Sequence, residues 1–443
     1  MKKVITYGTY DLLHFGHIRL LERAKALGDY LIVGVTADDF DIARGKINVQ
    51  QSLMERVEAI RATGLANEIV VEQYEGQKID DIQKYEVDIF TVGSDWVGHF
   101  DYLEEYCKVV YLDRTVGVSS TELRNKESEI RIGLIGDTYI VNKFANECRY
   151  VDGVKVVGFM TSNPQLEQTG LETTVLYDNY DDLINDCDAV YIQSNPSKHY
   201  EQIKYALNQR KHVIYEAPLT INSKQSKELF DLAESNNCIL YAGIKTAYST
   251  AYARMILMAK TGKIGKIVSV DAVCTSLKDI TDEEEFGRTW NSIAEWGPTA
   301  MLPIFQLCGV SYKSKNIVSR FRKGNRTFDT FTKIDWVYPD TVASIKVGIG
   351  VKAEGELVIA GTEGYILVPA PWWKTDYFEI RYEDQTKNKR FFYQLDGEGI
   401  RNMIASFVKS VSQHKLAYVT DEISVEITQT IEDFYTNTNT ILE

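Results

Sequence analysis

The chain has 443 residues, of which 44% are hydrophobic and 25% are charged, and its formal net charge at pH 7 is −14. This length predicts two or three domains, because a single hydrophobic core rarely extends over so many residues. The acidic balance argues against a general nucleic-acid or anionic-membrane binder, so an anionic substrate would need a local pocket of Lys and Arg side chains.

Strands and helices alternate along the first part of the chain. Apolar runs predict strands at 4–7, 30–35, 69–71, 87–92 and 109–112. Amphipathic patterns predict helices between them at 17–27, 52–63 and 79–85. This alternation indicates an α/β domain with a parallel sheet. The charged segment 124–131 follows and marks the first domain boundary.

A second α/β unit begins directly after this boundary. Its predicted strands lie at 130–136, 154–159, 189–193, 212–215 and 238–242, with helices at 199–208 and 224–235. From about residue 265 long alternating β-rich runs dominate, and helical patterns follow at 399–412 and 421–438. This change predicts an open antiparallel sheet packed with helices. The predicted domains are therefore 1–128, 129–250 and 251–443.

The six cysteines are widely spaced and form no CxxC pair. This spacing favours reduced thiols over a disulfide framework or a zinc site. No apolar run is long enough to cross a bilayer, and the N-terminus enters a strand without a signal-peptide pattern. We therefore expect a cytoplasmic protein that contacts neither membrane nor nucleic acid and has no metal site of its own.

The opening run contains the first candidate site. An apolar strand leads into a loop with Gly8, and His14 and His17 follow three residues apart where a helix begins. Glycine lets the backbone approach a ligand closely, and this spacing places both imidazoles on one side of the helix. The helix N-terminus favours a phosphate there. The alternative is that one or both histidines are ordinary helix-start residues.

The run Gly-Thr-Tyr-Asp-Leu-Leu-His-Phe-Gly-His at 8–17 resembles the nucleotide-binding signature of cytidylyltransferases, most closely that of bacterial glycerol-3-phosphate cytidylyltransferases. Gly-Ser-Asp-Trp at 93–96, Arg-Thr at 114–115 and Val-Ser-Ser-Thr at 118–121 extend the resemblance. It implies a Rossmann-like nucleotidyltransferase domain. The implied catalytic residues are His14, His17, Lys46 and Arg114. The implied nucleotide contacts are Gly8, Thr9, Tyr10, Arg56, Gly93, Asp95, Trp96, Ser119, Ser120 and Thr121.

The chemistry of nucleotidyl transfer suits this set of residues. The reaction needs an in-line nucleophile and positive groups directed at the α-phosphate and the leaving pyrophosphate. The triphosphate implies Mg²⁺, and an ionised phosphate monoester as acceptor requires no general base. Taken alone, Lys46 is an ordinary solvated loop lysine and Trp96 a core residue; their places in the motif favour the functional interpretation.

The resemblance implies a specific reaction. CTP and a small polyol phosphate, with glycerol 3-phosphate as the first candidate, would give a CDP-alditol such as CDP-glycerol and pyrophosphate. The product would serve teichoic-acid-like or capsular polymers. One departure leaves the acceptor open: members of that family usually carry an arginine eight residues after the position of Arg56, and this chain has Gly64 there. Another alditol phosphate therefore stays an alternative.

From about residue 130 to the end the chain resembles the Gfo/Idh/MocA oxidoreductases. In that family an NAD(P)-binding Rossmann domain precedes an α/β domain with an open sheet. The resemblance rests on Ile-Gly-Leu-Ile-Gly at 132–136, Asn-Pro-Ser-Lys-His at 195–199, the run at 211–219 and Gly-Thr-Glu-Gly-Tyr at 361–365. The implied cofactor contacts are Gly136, Thr138, Thr161, Ser162, Asn195, His199 and Glu216.

The catalytic pattern of that family is incomplete here. A dinucleotide phosphate loop uses three glycines, and only Gly136 stands at these positions, beside Thr138 and Val141. Thr161 replaces the expected acidic residue, which excludes the usual NAD contact and weakly favours NADP if either cofactor binds. Ala217 replaces the lysine of the family's Glu-Lys-Pro run, and alanine cannot donate a proton.

Three interpretations of the second half stay open. It has lost reductase activity and serves oligomerisation or regulation, or the proton donor has moved, with Lys245 as the best substitute. In the second case a bifunctional enzyme would reduce a ketose phosphate with NAD(P)H and supply the alditol phosphate. A third interpretation concerns the whole chain: a non-enzymatic, nucleotide-sensing scaffold of two degenerate domains, which would bind CTP without turnover. Because both resembled families commonly associate, we expect a homodimer or a higher homo-oligomer.

Overall fold

The computed structural model describes residues 1–11, 13, 15–38, 49, 51–74, 76–113, 129–162, 175–278, 291–322, 325–393, 395–413, 418–436 and 440–442. The chain divides into two compact units, Met1–Glu129 and Ile130–Glu443. The three domains expected from the sequence, 1–128, 129–250 and 251–443, stay a prediction. Within the described residues no helix combines the length and the apolar character needed to span a membrane.

The first unit contains a parallel sheet with helices. Its strands are β1 (Lys3–Gly8), β2 (Tyr30–Thr36), β3 (Glu68–Glu72), β4 (Ile89–Gly93) and β5 (Lys108–Leu112). Its helices are α1 (Phe15–Lys25), α2 (Leu53–Ala62) and α3 (Gln77–Tyr85). The described strands pair in the order β3-β2-β1-β4-β5, all in parallel. The predicted α/β class is confirmed.

Local sequence explains these elements. The central strands β1 and β2 are nearly continuous apolar runs because helices cover both faces of such a sheet. Helix α2 starts with a capping box, in which Ser52 accepts a hydrogen bond from the Glu55 amide and Glu55 accepts one from the Ser52 amide. Gly64 follows the end of this helix with φ 67°, a left-handed conformation that favours glycine.

The second unit begins with another parallel sheet. Its strands are β6 (Ile130–Gly136), β7 (Val154–Met160), β8 (Val175–Leu176), β9 (Ala189–Gln193), β10 (His212–Tyr215) and β11 (Leu240–Ala242). Its helices are α4 (Ile140–Cys148), α5 (Tyr180–Asp186), α6 (Pro196–Asn208) and α7 (Ser223–Ser235). The strand order β11-β10-β9-β6-β7-β8 is that of a Rossmann fold.

A larger sheet with helices follows in the same unit. Its strands are β12 (Ile267–Ser276), β13 (Ser314–Arg322), β14 (Asn325–Val337), β15 (Val342–Ile349), β16 (Leu357–Gly361), β17 (Gly364–Val368), β18 (Tyr377–Tyr382), β19 (Lys389–Phe392) and β20 (Thr440–Leu442). The helices are α8 (Thr250–Lys260), α9 (Ser292–Cys308), α10 (Ile400–Gln413) and α11 (Asp421–Thr436).

This sheet is mixed, whereas the sequence predicted an antiparallel one. The described strands lie in the order β19-β18-β17-β16-β12-β15-β14-β13-β20. Most neighbours are antiparallel, but β12 pairs with β15, and β13 with β20, in parallel. Helix α9 and the β13–β14 hairpin intervene between β12 and β15, so the chain returns beside β12 in the same direction. The sequence analysis predicted β-rich runs in this part of the chain, but the pattern did not reveal β13, β14, β19 or β20.

A buried carboxyl group in this sheet gives the fold a pH dependence. Asp329 on β14 accepts hydrogen bonds from the Ile293 amide at 3.2 Å and from the Thr332 hydroxyl at 2.6 Å. Burial raises the pKa of Asp329 from 3.8 to about 6. A folded-state pKa above the unfolded value means that the folded protein holds the proton more tightly.

The free energy of unfolding of the second unit is therefore expected to fall by about 2–3 kcal/mol between pH 4 and pH 7 through Asp329, with no further change at higher pH. Asp329→Asn should remove this part of the slope, as measured by urea unfolding across the range. Asp335→Asn, an exposed change on the same strand, serves as the control. An unchanged slope in Asp329→Asn would contradict the assignment.

Candidate functional site

The first candidate site lies at the carboxyl ends of β1 and β4. These strands are neighbours, and the chain continues from them to opposite sides of the sheet, since β1 leads to β2 and β4 leads to β5. A crevice for a ligand forms at such a switch point. Gly8 ends β1 and Gly93 ends β4, so two predicted nucleotide contacts border the crevice.

A small cavity of about 40 Å³ brings several predicted residues together. Gly8, Thr9 and Trp96 line it, and the other lining residues are Tyr7, Thr36, Glu72, Lys78, Val92 and Phe100. The Trp96 side chain is 37% exposed, which argues against a core role. Its ring centroid lies 5.8 Å from that of Phe100. Trp96 is thus a partly exposed aromatic wall of the cavity, available for stacking.

The loop after β1 fixes the orientation of His17. A Cβ at Gly8 would lie only 3.0 Å from Cζ of Tyr10, so glycine permits the close packing of this ring. Tyr10 is buried and has φ 52°, an uncommon value for a residue with a side chain. Its ring meets the His17 imidazole at 75°, with 5.5 Å between centroids. The imidazole is therefore packed in place in the first turn of α1.

Arg56 is fully buried and contacts the same loop through its guanidinium. Its Nη1 donates to the carbonyl oxygens of Thr9 at 2.6 Å and Thr36 at 2.9 Å, and its Nε donates to that of Gln51 at 3.1 Å. Its Nη2 forms an ion pair with Asp38. These contacts give Arg56 a role in positioning Thr9. Its predicted contact with the nucleotide stays a prediction.

Asp11 also acts within the loop. It is buried, and its Oδ1 accepts a hydrogen bond from the Gln51 amide at 2.9 Å. This bond ties the loop after β1 to the segment that precedes α2. This contact gives Asp11 a role in the shape of the loop.

The sequence analysis missed a charged pair in the cavity wall. Lys78 on α3 is buried and forms an ion pair with Glu72, which also accepts a hydrogen bond from the Thr36 hydroxyl at 2.9 Å. The Lys78 ammonium lies 4.7 Å from the centroid of the Tyr7 ring. A buried lysine in a ligand crevice is suited to an anionic group. Its sequence signal was weak, because a lysine on an amphipathic helix is usually solvated.

Several predicted residues lie outside the described residues, so their roles stay predictions. They are His14, Lys46, Arg114, Ser119, Ser120 and Thr121. For Asp95, only the backbone, within the 3-10 turn Ser94–Trp96, is described.

The second candidate site lies at the carboxyl ends of β6 and β9, the switch point of the Rossmann sheet. Gly136 ends β6, and a Cβ there would lie 2.6 Å from the carbonyl oxygen of Gln193 at the end of β9. The Thr138 hydroxyl donates to Oε1 of the same glutamine at 2.8 Å. Gly136 is thus required for packing against Gln193, whose buried side chain occupies this edge.

Asp137 engages the residues expected at the cofactor ribose. Its Oδ1 accepts hydrogen bonds from the Ser162 amide at 2.6 Å, the Ser162 hydroxyl at 2.9 Å and the Thr161 hydroxyl at 3.1 Å. A carboxylate at this point opposes the additional phosphate of NADP by charge repulsion. The contacts of Asp137 therefore do not favour NADP at this edge of the sheet.

Two further predicted contacts have structural partners. Asn195 caps α6, where its side-chain oxygen accepts a hydrogen bond from the Ser197 amide at 3.0 Å. His199 is buried, with its ring nitrogens 3.0 Å and 2.9 Å from the carbonyl oxygens of Pro218 and Ser194. Burial lowers the pKa of His199. The ring therefore joins two loops in the interior.

Glu216 and Lys245, the candidate groups near Ala217, both interact with other side chains of the second unit. Glu216 accepts a hydrogen bond from the Tyr191 hydroxyl at 2.6 Å, and burial raises the pKa of this glutamate. Ala217 follows it. The Lys245 ammonium lies 2.7 Å from Oε2 of Glu398. Lys245 is therefore part of an ion pair, and its predicted role as a proton donor stays a prediction.

Comparison with known proteins relates the two units to different families. A family described as cytidylyltransferase-like matches residues 5–126, and the oxidoreductase family with an NAD-binding Rossmann fold, Gfo/Idh/MocA, matches residues 130–244. A glycerol-3-phosphate cytidylyltransferase of Bacillus spizizenii is 52% identical over 124 residues, which are 28% of this chain and 95% of that protein. A protein of the same name from Staphylococcus aureus is 47% identical over 130 residues, 28% of this chain and 95% of the relative.

The second unit has structural neighbours at low sequence identity. The crystal structure of KijD10, a 3-ketoreductase from Actinomadura kijaniata in complex with NADP and TDP-benzene, superposes with a TM-score of 0.64 at 18% identity. The match covers 71% of this chain and 100% of KijD10. At this identity the likeness establishes the fold of the second unit alone.

Proposed function

The chain belongs to the cytidylyltransferase-like family through its first unit and is a nucleotidyltransferase, and we propose that this unit transfers the cytidylyl group of CTP to a small polyol phosphate. Glycerol 3-phosphate is the first candidate acceptor, because relatives that are about half identical to the first unit are named glycerol-3-phosphate cytidylyltransferases. The observation that carries the proposal is the cavity at the ends of β1 and β4, where Gly8, Thr9, Lys78 and Trp96 meet.

The proposed reaction is an in-line displacement at the α-phosphorus of CTP. A phosphate oxygen of the acceptor attacks the α-phosphorus of CTP, the bond from this phosphorus to the α,β-bridging oxygen breaks, and pyrophosphate leaves. The acceptor oxygen is already ionised, so no base is needed. We assign to His17 a hydrogen bond to the α-phosphate, where negative charge increases in the transition state. His14, Lys46 and Arg114 are the other proposed donors.

Mg²⁺ enters this proposal with the nucleotide. Among the described residues no group of three or more His, Cys, Asp or Glu side chains is arranged to hold a metal ion. The oxygens of the triphosphate are the hard ligands that Mg²⁺ prefers. When bound, the ion supplies additional neutralisation of the phosphate charge.

The acceptor side lacks the expected arginine. Gly64 has φ 67°, and a Cβ at this position would meet no atom within 4 Å. The position therefore offers the acceptor no cation. Lys78 is the charged side chain that we propose in its place, since its ammonium lies in the cavity wall at the crevice. A single lysine is a less specific phosphate ligand than an arginine, which leaves other alditol phosphates as acceptors.

A substrate panel tests the proposed function. With CTP and Mg²⁺, at least one alditol phosphate is expected to release pyrophosphate, with glycerol 3-phosphate tested first and ribitol and erythritol phosphates beside it. UTP and ATP serve as the controls for the base. If no member of the panel releases pyrophosphate above the rate without acceptor, the proposed function is wrong.

The geometry does not favour the alternative of a fused NAD(P)H-dependent reductase. Asp137 and Gln193 engage the groups that a dinucleotide would need, Ala217 cannot donate a proton, and Lys245 is paired with Glu398. We infer that the second unit has kept the oxidoreductase fold without the usual reductase chemistry.

A further inference from the structure

Three lysines from separate segments of the second unit converge on one carboxylate. Lys143 lies in the first turn of α4, Lys245 follows β11, and Lys374 lies in a turn between β17 and β18. The Glu398 oxygens are 2.7 Å from the ammonium of Lys245, 3.0 Å from that of Lys374 and 3.2 Å from that of Lys143. The four side chains are between 24% and 37% exposed, so a solute can reach them.

One carboxylate is a poor match for three ammonium groups. Each ammonium carries three donors, whereas a carboxylate offers two oxygens with about four acceptor sites. Glu147 and Asp396 lie 2.9 Å and 3.6 Å from the guanidinium of Arg401, so these three groups together add one negative charge, which reduces the excess of positive charge without removing it. The cluster is therefore locally rich in positive charge, in a chain whose net charge is −14.

The backbone that holds Glu398 is strained. Gly397, Glu398 and Gly399 have φ values of 55°, 53° and 87°, all in the left-handed region. A Cβ at Gly399 would lie 2.8 Å from the carbonyl oxygen of Lys245, so glycine is needed for this close contact. A non-glycine residue held in this conformation costs energy and is typical of functional segments.

The cluster borders the edge of the sheet where Rossmann folds bind ligands. Lys245 follows the carboxyl end of β11, and Lys143 lies on the helix that follows β6. We propose that Lys143, Lys245 and Lys374 form a binding site for the phosphate group of a small phosphate monoester, which displaces the Glu398 carboxylate. A phosphate monoester has three terminal oxygens and about two negative charges near neutral pH, and it therefore matches three ammonium groups better than one carboxylate does.

Glu398 acts as the internal competitor of this ligand. Burial by itself raises its pKa, but hydrogen bonds from Lys245 and Lys374 lower the pKa of Glu398 to about 2. The carboxylate is thus ionised at neutral pH and occupies the lysines until an anion of higher charge replaces it. Because the site is built from the second unit alone, it does not depend on the proposed transferase reaction.

Amide hydrogen exchange of the full chain tests the site. With glycerol 3-phosphate, CMP or inorganic phosphate at up to about 10 mM, we expect slower exchange in peptides that cover 372–376 and 395–401. Slower exchange with inorganic phosphate as well as with the esters means recognition of the phosphate group, and slower exchange with one ester alone adds contacts to its organic part. Equal protection by KCl at matched ionic strength, stronger protection by NADH, or no protection by any phosphate probe would overturn the proposal.

Variants distinguish phosphate binding at this site from binding in the first unit. Lys143→Ala/Lys374→Ala should raise the phosphate concentration needed for half-maximal protection by about tenfold or more. The control Lys352→Ala/Lys389→Ala, which removes two exposed lysines of the same unit, should leave this concentration unchanged. His17→Ala should leave it unchanged. Glu398→Gln should tighten binding severalfold because the competing charge is removed. Weaker binding in Glu398→Gln would contradict displacement, and that variant decides the matter if the lysine variant does not fold.

Discussion

Replacement of His17 by alanine is expected to lower CTP-dependent pyrophosphate release by about 10²- to 10³-fold, the loss that follows removal of one preorganised donor to a developing charge. His17 lies in the first turn of α1, beside the loop that ends β1. Tyr10 packs edge-on against its ring. The imidazole thus needs no reorganisation when a phosphate binds at the helix N-terminus, and its removal affects the rate more than the fold.

The measurement is the initial rate of pyrophosphate release at saturating CTP, together with thermal unfolding of each variant. Arg19→Ala, an exposed change on the same helix, is the matched control and should keep nearly the full rate. His17→Gln, which retains a side-chain donor, should recover part of the loss. If His17→Ala stays within about threefold of the natural protein, His17 does not contact the reacting phosphate.

The strand–loop–helix segment that contains His17 could be predicted because its determinants are local. The apolar run of β1, the glycine at its end and the helical spacing after it are all visible in neighbouring residues. The same holds for α2, whose capping box joins Ser52 to Glu55. Local patterns of this kind also gave the correct α/β class for both parallel sheets.

Long-range contacts could not be predicted in this way. Motif position suggested that Arg56 contacts the nucleotide, but no local pattern shows that its guanidinium donates to carbonyl groups of Thr9, Thr36 and Gln51. Lys245 stood out only as a substitute proton donor. Its partner Glu398 lies more than 150 residues further along the chain, so the ion pair depends on packing within the second unit.

The parallel pairing of β12 with β15 was missed for a related reason. Alternating hydrophobicity indicates a strand with one buried face, but it does not specify the direction of the neighbour. The direction depends on α9 and the β13–β14 hairpin, which lie between the two strands. Helix α9 contains Pro298 and Pro303, which weaken its helical pattern in the sequence.

The buried pair in the cavity gives the second large effect. Lys78→Met is expected to lower the free energy of unfolding of the first unit by about 3–5 kcal/mol, because it leaves the Glu72 carboxylate buried without its cation. Glu72 is 1% exposed, so bulk solvent stabilises its carboxylate poorly once the ammonium is removed. The Thr36 hydroxyl donates a hydrogen bond to this carboxylate, but a neutral donor does not replace the charge of the ammonium.

The double variant Lys78→Met/Glu72→Gln separates stability from function. Glutamine keeps an acceptor for Thr36 and removes the buried charge, so most of the lost stability should return in urea unfolding. Pyrophosphate release should not return, because the cavity then lacks the cation that we assign to an anionic substrate group. Glu58→Gln, an exposed change on α2, is the control for the loss of a carboxylate. A double variant that recovers both stability and rate would show that Lys78 serves the fold alone, and the charge for the acceptor phosphate would then have to come from another side chain.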